Sequence, residues 1–320
     1  MADGTNNWVP ISASDNLYGI GCGTSFAAPT VTGSINLLTQ FYKQLHTNSA
    51  DPLASTLKGL VIETADSGTT NNGPSYRFGW GLMNTKTAVT LINQDATNGL
   101  KNQIKEVLLP NGQFIQFPVM SAGSTNSPLK VTICWTDPAG APNAVTNLDN
   151  PTPKLVNDLD LRVISPNGTT TNFPWALNPT NPAAPATKGD NFRDNVEQVV
   201  VPSPTAGTYL VQVTHKRNIV NAAGQSSAQL VSVLTSGIQP QPMPPVQILS
   251  SYAYSTNHLF TLKWNSTPGL NYQVLQSGSL IGGSWQAASD LISATKTNAA
   301  FVLPASTTGN QFFRIVGTRP

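Results

Sequence analysis

The sequence predicts a mixed fold that is mainly β: a short α-rich segment, then a β-sandwich or jelly roll, then a small β-sandwich module. Three observations lead there. Charged residues make up only 10% of the 320, while Gly and Pro number 25 each, the composition of a turn-rich β protein with a neutral polar surface. Before residue 98 the apolar residues recur at helical spacing. From about residue 104 the period falls to two and stays there.

Residues 29 to about 46 read as an amphipathic helix, with Val31, Ile35, Leu38, Tyr42 and Leu45 on one face. Asp51-Pro52 starts a second helix, since Asp is a good N-cap and Pro suits the first helical position. Leu53, Leu57, Leu60 and Val61 give it an apolar face. A Gly-rich loop runs from Gly73 to Asn84, and Asn84 caps a third helix that turns Ala88, Leu91 and Ile92 inward. Strands follow at Phe114 to Val119, Val131 to Trp135, Leu159 to Val163, Val196 to Val201, Tyr209 to Val213 and Leu230 to Leu234. Pro166-Asn-Gly168 and Ala206-Gly207 are turns between them. Gln239 to Pro245 is a proline-rich, extended linker. Beyond it, Leu259 to Trp264, Tyr272 to Gln276 and Gln311 to Val316 are strands of a small unit. There Trp264, Tyr272, Trp285 and Phe313 supply a core rather than a sugar-stacking face. The domains are therefore expected at 1–98, 99–238 and 247–320, with the linker at 239–246.

The net charge is +2, without a basic cluster, which speaks against nucleic acid as a partner. No apolar run is long enough to span a bilayer, and Met1 is followed by Ala-Asp-Gly-Thr-Asn-Asn, so neither a membrane span nor a signal peptide is expected. Cys22 and Cys134 are the only cysteines, too few for a disulfide framework or a four-ligand zinc site. Cys134 lies within a strand and reads as a small buried residue.

One motif carries chemistry. Gly21-Cys-Gly-Thr-Ser-Phe-Ala-Ala-Pro29 places a hydroxyl nucleophile, Ser25, on a Gly-rich turn that runs straight into a helix. Free backbone N–H groups gather at a helix N-terminus. The backbone around Thr24 and Ser25 is thus the expected oxyanion site of an acyl-transfer serine. Such a serine needs a base, and the imidazoles are His46, His215 and His258. His46 stands some twenty residues further along the helix, about 30 Å away at 1.5 Å per residue. His215 and His258 are the candidates for a recruited base, reaching Ser25 through domain packing or a second chain.

Gly23-Thr-Ser-Phe-Ala-Ala-Pro29 resembles the nucleophile motif of the subtilisin-like serine peptidases, or subtilases. Leu57 to Ala65 is similar to the next helix of that fold. Tyr76-Arg-Phe-Gly-Trp-Gly-Leu-Met-Asn84 is similar to the segment that closes the catalytic domain. The resemblance implies that the α-rich segment is a remnant of a subtilase α/β domain, and that the parent is a secreted endopeptidase working through an acyl-enzyme at Ser25. Subtilases order their triad Asp, His, Ser, with the oxyanion Asn also ahead of the Ser. Of the twenty-four residues before Ser25, none is His. The chain is therefore expected to be the C-terminal portion of such an enzyme, lacking the family's Asp, His and oxyanion Asn. An esterase using a recruited base and a non-catalytic binding module are the alternatives. Peptides or esters are the expected substrates. A missing N-terminal half or a homodimer partner is expected to cover the apolar faces of Val31, Ile35, Leu38, Leu57 and Leu60, unless these refold against the jelly roll.

Trp135-Thr-Asp137, Leu155 to Leu161, Pro166-Asn-Gly168, Asn195-Val-Glu197 and Gly207-Thr-Tyr209 resemble the jelly-roll domain that follows some bacterial subtilases. The last unit is weakly similar to fibronectin-type modules. Asp and Asn concentrate in the jelly roll, and carboxylate and amide oxygens suit calcium. Related jelly rolls bind structural calcium, so Asp137, Asp158, Asp160, Asp194 and Glu197 are its expected ligands here. No cofactor is expected for the chemistry itself.

Overall fold

The computed structural model describes residues 7–10, 15–21, 23–47, 50–71, 73–97, 103–124, 127–144, 150–239, 245–254, 259–267, 270–282, 284–304 and 310–318. The chain forms two compact units, one from Met1–Ala96 and Lys101–Gln239, the other from Thr97–Leu100 and Pro240–Pro320. The helical segment and the first β region, expected to part at residue 98, thus form a single unit. Most of the expected linker, residues 240–244, lies outside the described residues.

The first unit opens with a hairpin, β1 (Asn7–Pro10) antiparallel to β2 (Tyr18–Gly21). Helix α1 (Thr24–Leu45) follows, then α2 (Ala54–Thr64) and α3 (Thr85–Thr97). α1 begins ahead of the expected residue 29 and carries Pro29 within it. At the sixth helical position it lies past the first turn, so it withholds one i→i−4 hydrogen bond. α2 starts at Ala54 with Leu53 in the N-cap position. Asp51, the expected cap, instead pairs on the surface with Lys43 at 2.8 Å. Asn84 does cap α3, its Oδ1 accepting the Thr87 N–H at 2.9 Å.

Ten strands follow, all antiparallel: β3 (Ile104–Pro110), β4 (Ile115–Ser121), β5 (Leu129–Trp135), β6 (Leu159–Ile164), β7 (Thr171–Asn172), β8 (Trp175–Ala176), β9 (Thr187–Lys188), β10 (Val196–Val201), β11 (Gly207–His215) and β12 (Ala228–Ser236). The six expected strands correspond to β4, β5, β6, β10, β11 and β12; β3 and the two-residue β7, β8 and β9 were not expected. One sheet runs β10-β5-β12-β3, the other β4-β11-β6-β7, with β8 and β9 as a separate ribbon. Leu129, Val131, Ile133 and Val231 from the first sheet share one buried cluster with Leu161, Val163, Tyr209 and Val211 from the second. Two antiparallel sheets over one apolar core make a sandwich. The helices then cover the outer face of the first sheet. Leu38, Leu60, Ala88, Leu91 and Ile92 pack with Ile104 and Leu234 of the sandwich. Leu38 and Leu60 are therefore covered by this chain's own sheet.

The face that α2 buries departs from expectation. Leu57 and Val61 are only half-buried, while Ser55, Thr56, Gly59 and Glu63 are buried. The reason lies in the sheet beneath. β10 and β5 pair Gln198 with Thr132 and Val200 with Lys130, so these alternate residues share the outward face. A helix landing on Thr132, Gln198 and Ser232 needs polar groups, and a close approach needs no side chain. A Cβ on Gly59 would strike Leu234 Cδ2 and touch Cys134 Cβ.

The second unit contains β13 (Ile248–Tyr254), β14 (Leu259–Asn265), β15 (Asn271–Ser277), β16 (Gln286–Ala287), β17 (Ile292–Ser293), β18 (Asn298–Pro304) and β19 (Phe312–Thr318). One sheet is β13-β14-β18; the other gathers β16, β17 and β19 about β15. Trp264 and Tyr272 are buried in a common core, their rings 6.0 Å apart. Phe313 packs on that core as expected. Trp285 is half-buried and lies under the Arg314 guanidinium at 5.0 Å. Among the described residues no helix is long and apolar enough to cross a membrane.

Candidate active site

Ser25 sits in the first turn of α1, exposed to solvent. Its mount depends on Gly23, the N-cap, whose backbone at φ 147°, ψ 162° is a conformation open in practice to glycine alone. A Cβ there would have room, so the constraint is conformational and not steric crowding. Gly23 O accepts the N–H groups of Phe26 and Ala27 at 3.0 and 3.3 Å. Among the described residues the amides of Thr24 and Ser25 and the Ser25 hydroxyl have no partner. Pro29 has no N–H to give the Ser25 carbonyl, its i−4 acceptor. The result is a solvent-facing hydroxyl beside unused backbone donors, at the positive end of a 22-residue helix.

The described imidazoles, His46 and His215, are engaged elsewhere. His46 is the C-cap of α1, about 32 Å from Ser25 by the helical rise. It is buried against Asp95, Nε2 lying 3.2 Å from Asp95 Oδ2 and Nδ1 3.0 Å from Tyr42 O. Its ring stacks on Tyr42 at 4.0 Å. Asp95 also accepts the N–H groups of Gln103 and Ile104. This buried pair ties the far end of α1 to α3 and to the start of β3. His215 is fully engaged as well. Its Nε2 accepts the Gly112 N–H at 2.9 Å and its Nδ1 lies 2.6 Å from Arg217 O. Both nitrogens hold loops of the sandwich, so the ring has no free nitrogen to serve as the recruited base. His258 lies outside the described residues.

The five expected calcium ligands do not converge. Asp137 accepts the N–H groups of Val156 and Asn157 at 2.7 and 2.8 Å and so fixes a loop. Asp194 accepts from Asn191 Nδ2 at 3.0 Å. Glu197 is wholly buried; one oxygen accepts the Leu161 N–H at 2.6 Å, while Oε1 has no partner. Burial pushes its carboxyl well above the usual carboxylate range. Asp158 and Asp160 do lie together, joined by Asp190, but around cations of the protein itself. Lys216 Nζ is 2.6 Å from Asp190, 3.1 Å from Asp160 and 3.5 Å from Asp158. Arg162 Nη2 bridges Asp160 and Asp190 at 2.9 and 2.8 Å. Burial raises Asp158 and Asp160. Partial burial also works to raise Asp190, but hydrogen bonding with Asp160, Lys216 and Arg162 outweighs it and holds the group at about 2. Among the described residues no set of three or more His, Cys, Asp or Glu side chains is arranged to hold a metal ion. The ligand set fits calcium poorly because its central carboxylates are already neutralised.

Three polar groups that hold the fold together escaped the sequence reading. Glu63, on the packed face of α2, accepts hydroxyl bonds from Thr132 at 2.5 Å and Ser236 at 2.6 Å. Glu106 of β3 caps α2, accepting the Leu53 N–H at 2.8 Å and the Thr56 hydroxyl. Lys216 holds the acidic cluster. A charged residue amid a helix's apolar spacing was the available signal for Glu63; the other two depend on pairing across the fold. Cys134 matches its reading: it is buried, and burial pushes its thiol to about 12.

The comparisons with known proteins agree with the nucleophile motif. Residues 1–81 match the model of the Subtilase family. A relative from Dictyostelium discoideum, described as "Serine protease/ABC transporter B family protein tagA", is 28% identical over 160 residues. The match covers 45% of this chain and 8% of the relative. The chain thus spans less than a tenth of the length of that relative.

Proposed function

We propose that this chain is the nucleophile-bearing part of a subtilisin-like serine endopeptidase, in which Ser25 attacks the scissile carbonyl and carries the acyl group. The observation behind this reading is the mount of Ser25: an exposed hydroxyl in the first helical turn, set by Gly23, within the 1–81 segment that matches the subtilase model. The oxygen that becomes negative as the tetrahedral intermediate forms would draw on the unpaired amides of Thr24 and Ser25. The base, its orienting acid and an oxyanion side chain come, on this reading, from a polypeptide that completes the sheet begun by β1 and β2. Leu17, Tyr18, Ile20 and Leu37 are exposed large apolar residues of this region, as an unfinished interface requires.

Without that polypeptide the chain should be nearly inert. In subtilisin, loss of the histidine alone costs roughly 10⁶-fold in kcat. Fluorophosphonate labelling followed by peptide mapping tests the nucleophile. The chain, assembled with the polypeptide proposed to supply the base, should be labelled at Ser25, and Ser25→Ala should abolish the label. An assembly that cleaves casein but is never labelled at Ser25 would refute the proposal. Activated-ester turnover by the isolated chain, lost in Ser25→Ala, would instead favour the esterase reading.

A further inference from the structure

We infer that the ammonium group of Lys216 is the resident cation of the acidic end of the first sandwich, and that this end consequently takes no divalent metal. The placement follows from strand register. β11 and β6 pair Thr214 with Asp160 and His215 with Leu159. One step on, the Lys216 N–H donates to Asp158 O at 3.1 Å. Residues that alternate along a strand share a face, and directly opposed residues share it across strands. Lys216 therefore meets Asp158 directly and Asp160 diagonally, while Asp190 closes the group from the loop before β10.

The ammonium has three N–H groups, and each finds a carboxylate, at 2.6, 3.1 and 3.5 Å. Arg162 takes the other oxygen of Asp190 and shares Oδ1 of Asp160. Three carboxylates thus face two fixed cations. Calcium needs six to eight oxygens at about 2.3–2.6 Å, and Nζ stands where those oxygens converge. Deleting the charge of Lys216 should reverse the preference. Asp158 Oδ1 is already buried without a partner, so a ready oxygen is present. A cavity of about 410 Å³, lined by Asp158, Asp190, Phe192 and Lys216 among others, provides access to the spot.

The test is thermal unfolding of the whole chain in calcium chloride and in EDTA. Wild-type protein should melt at the same temperature in both, and so should Lys216→Arg, which keeps the charge. Lys216→Met keeps most of the side-chain volume but leaves the three carboxylates with Arg162 as their one fixed cation. It should melt several degrees lower in EDTA and recover in millimolar calcium. Should it fail to fold without calcium, rescue by calcium during refolding gives the same answer. A folded Lys216→Met with no calcium response would overturn the inference. So would a wild-type protein destabilised by EDTA whose sensitivity Asp190→Asn removes. EDTA sensitivity that Asp190→Asn leaves intact maps to another site and agrees with the inference, as does a calcium-insensitive wild type.

Discussion

Glu63 is completely buried between α2 and the sheet, and burial pushes its carboxyl up to about 7 against a usual value of 4.5. Hydroxyls of Thr132 and Ser236, and the charge of Lys130, oppose the shift without cancelling it. A carboxyl whose folded value is raised binds its proton more tightly when folded. Its contribution to stability is therefore complete below pH 4.5 and is lost as pH rises through 7. A shift of this size is worth on the order of 3 kcal/mol. Glu63→Gln remains neutral, and the two hydroxyls can rotate to suit an amide. Relative to this variant, wild type should lose roughly that stability between pH 4.5 and pH 8, measured by urea unfolding. The difference between the two proteins cancels Asp158, Asp160 and Asp190, which titrate in both. A difference independent of pH would place Glu63 in water.

At the scale of the element, α2 owes its start to another strand. Helix N-termini leave backbone donors free, and a side chain from the N-cap usually takes one. Leu53 has no such side chain, and Glu106 of β3 does the work across the fold. Glu106→Ala should thus cost about 1–2 kcal/mol, comparable with loss of a local cap. Glu106→Gln, which keeps an acceptor oxygen, should cost less than half as much. Equal losses in the two variants, read by chemical denaturation, would mean that charge rather than the capping bond matters. α1 shows the converse. Its two ends do different things: the first turn offers Ser25 to solvent, while Leu38 and His46 near the other end are buried. Apart from Ala27, the first two turns of α1 bury no residue, which leaves the Ser25 face open for another polypeptide to pack against.

At the scale of the whole molecule, each unit closes its own core, Trp135 and Tyr209 lying in one and Trp264 and Tyr272 in the other. Separate cores predict separate unfolding. Calorimetry should resolve two transitions, and Trp264→Ala should lower only one of them. Truncating a buried Trp to Ala costs about 3–5 kcal/mol. A uniform shift of both transitions would show the units to be thermodynamically one.

The sequence alone determined the elements whose signal is local. Apolar, β-branched runs and period-two alternation placed β5, β6, β10, β11 and β12 within a few residues, although only β11 buries one side chain in two; β5 and β10 are buried on both faces because the helices cover the outer side of their sheet. Asn84 was legible as a cap because its bond to Thr87 spans three residues. Gly23-Thr24-Ser25 was legible as a glycine turn that carries a hydroxyl into a helix start because the three are contiguous. What the tertiary structure alone decided are the relations between distant segments. Nothing near Asp51 reveals that Glu106 caps α2 in its place, and nothing near Asp158 reveals that Lys216 neutralises it. The inward face of α2 was misjudged for the same reason. Apolar spacing assumes an apolar partner, and the partner is a sheet face carrying Thr132, Gln198 and Ser232. Burial and charge pairing depend on what lies across the fold, and strand register, not neighbouring sequence, sets that.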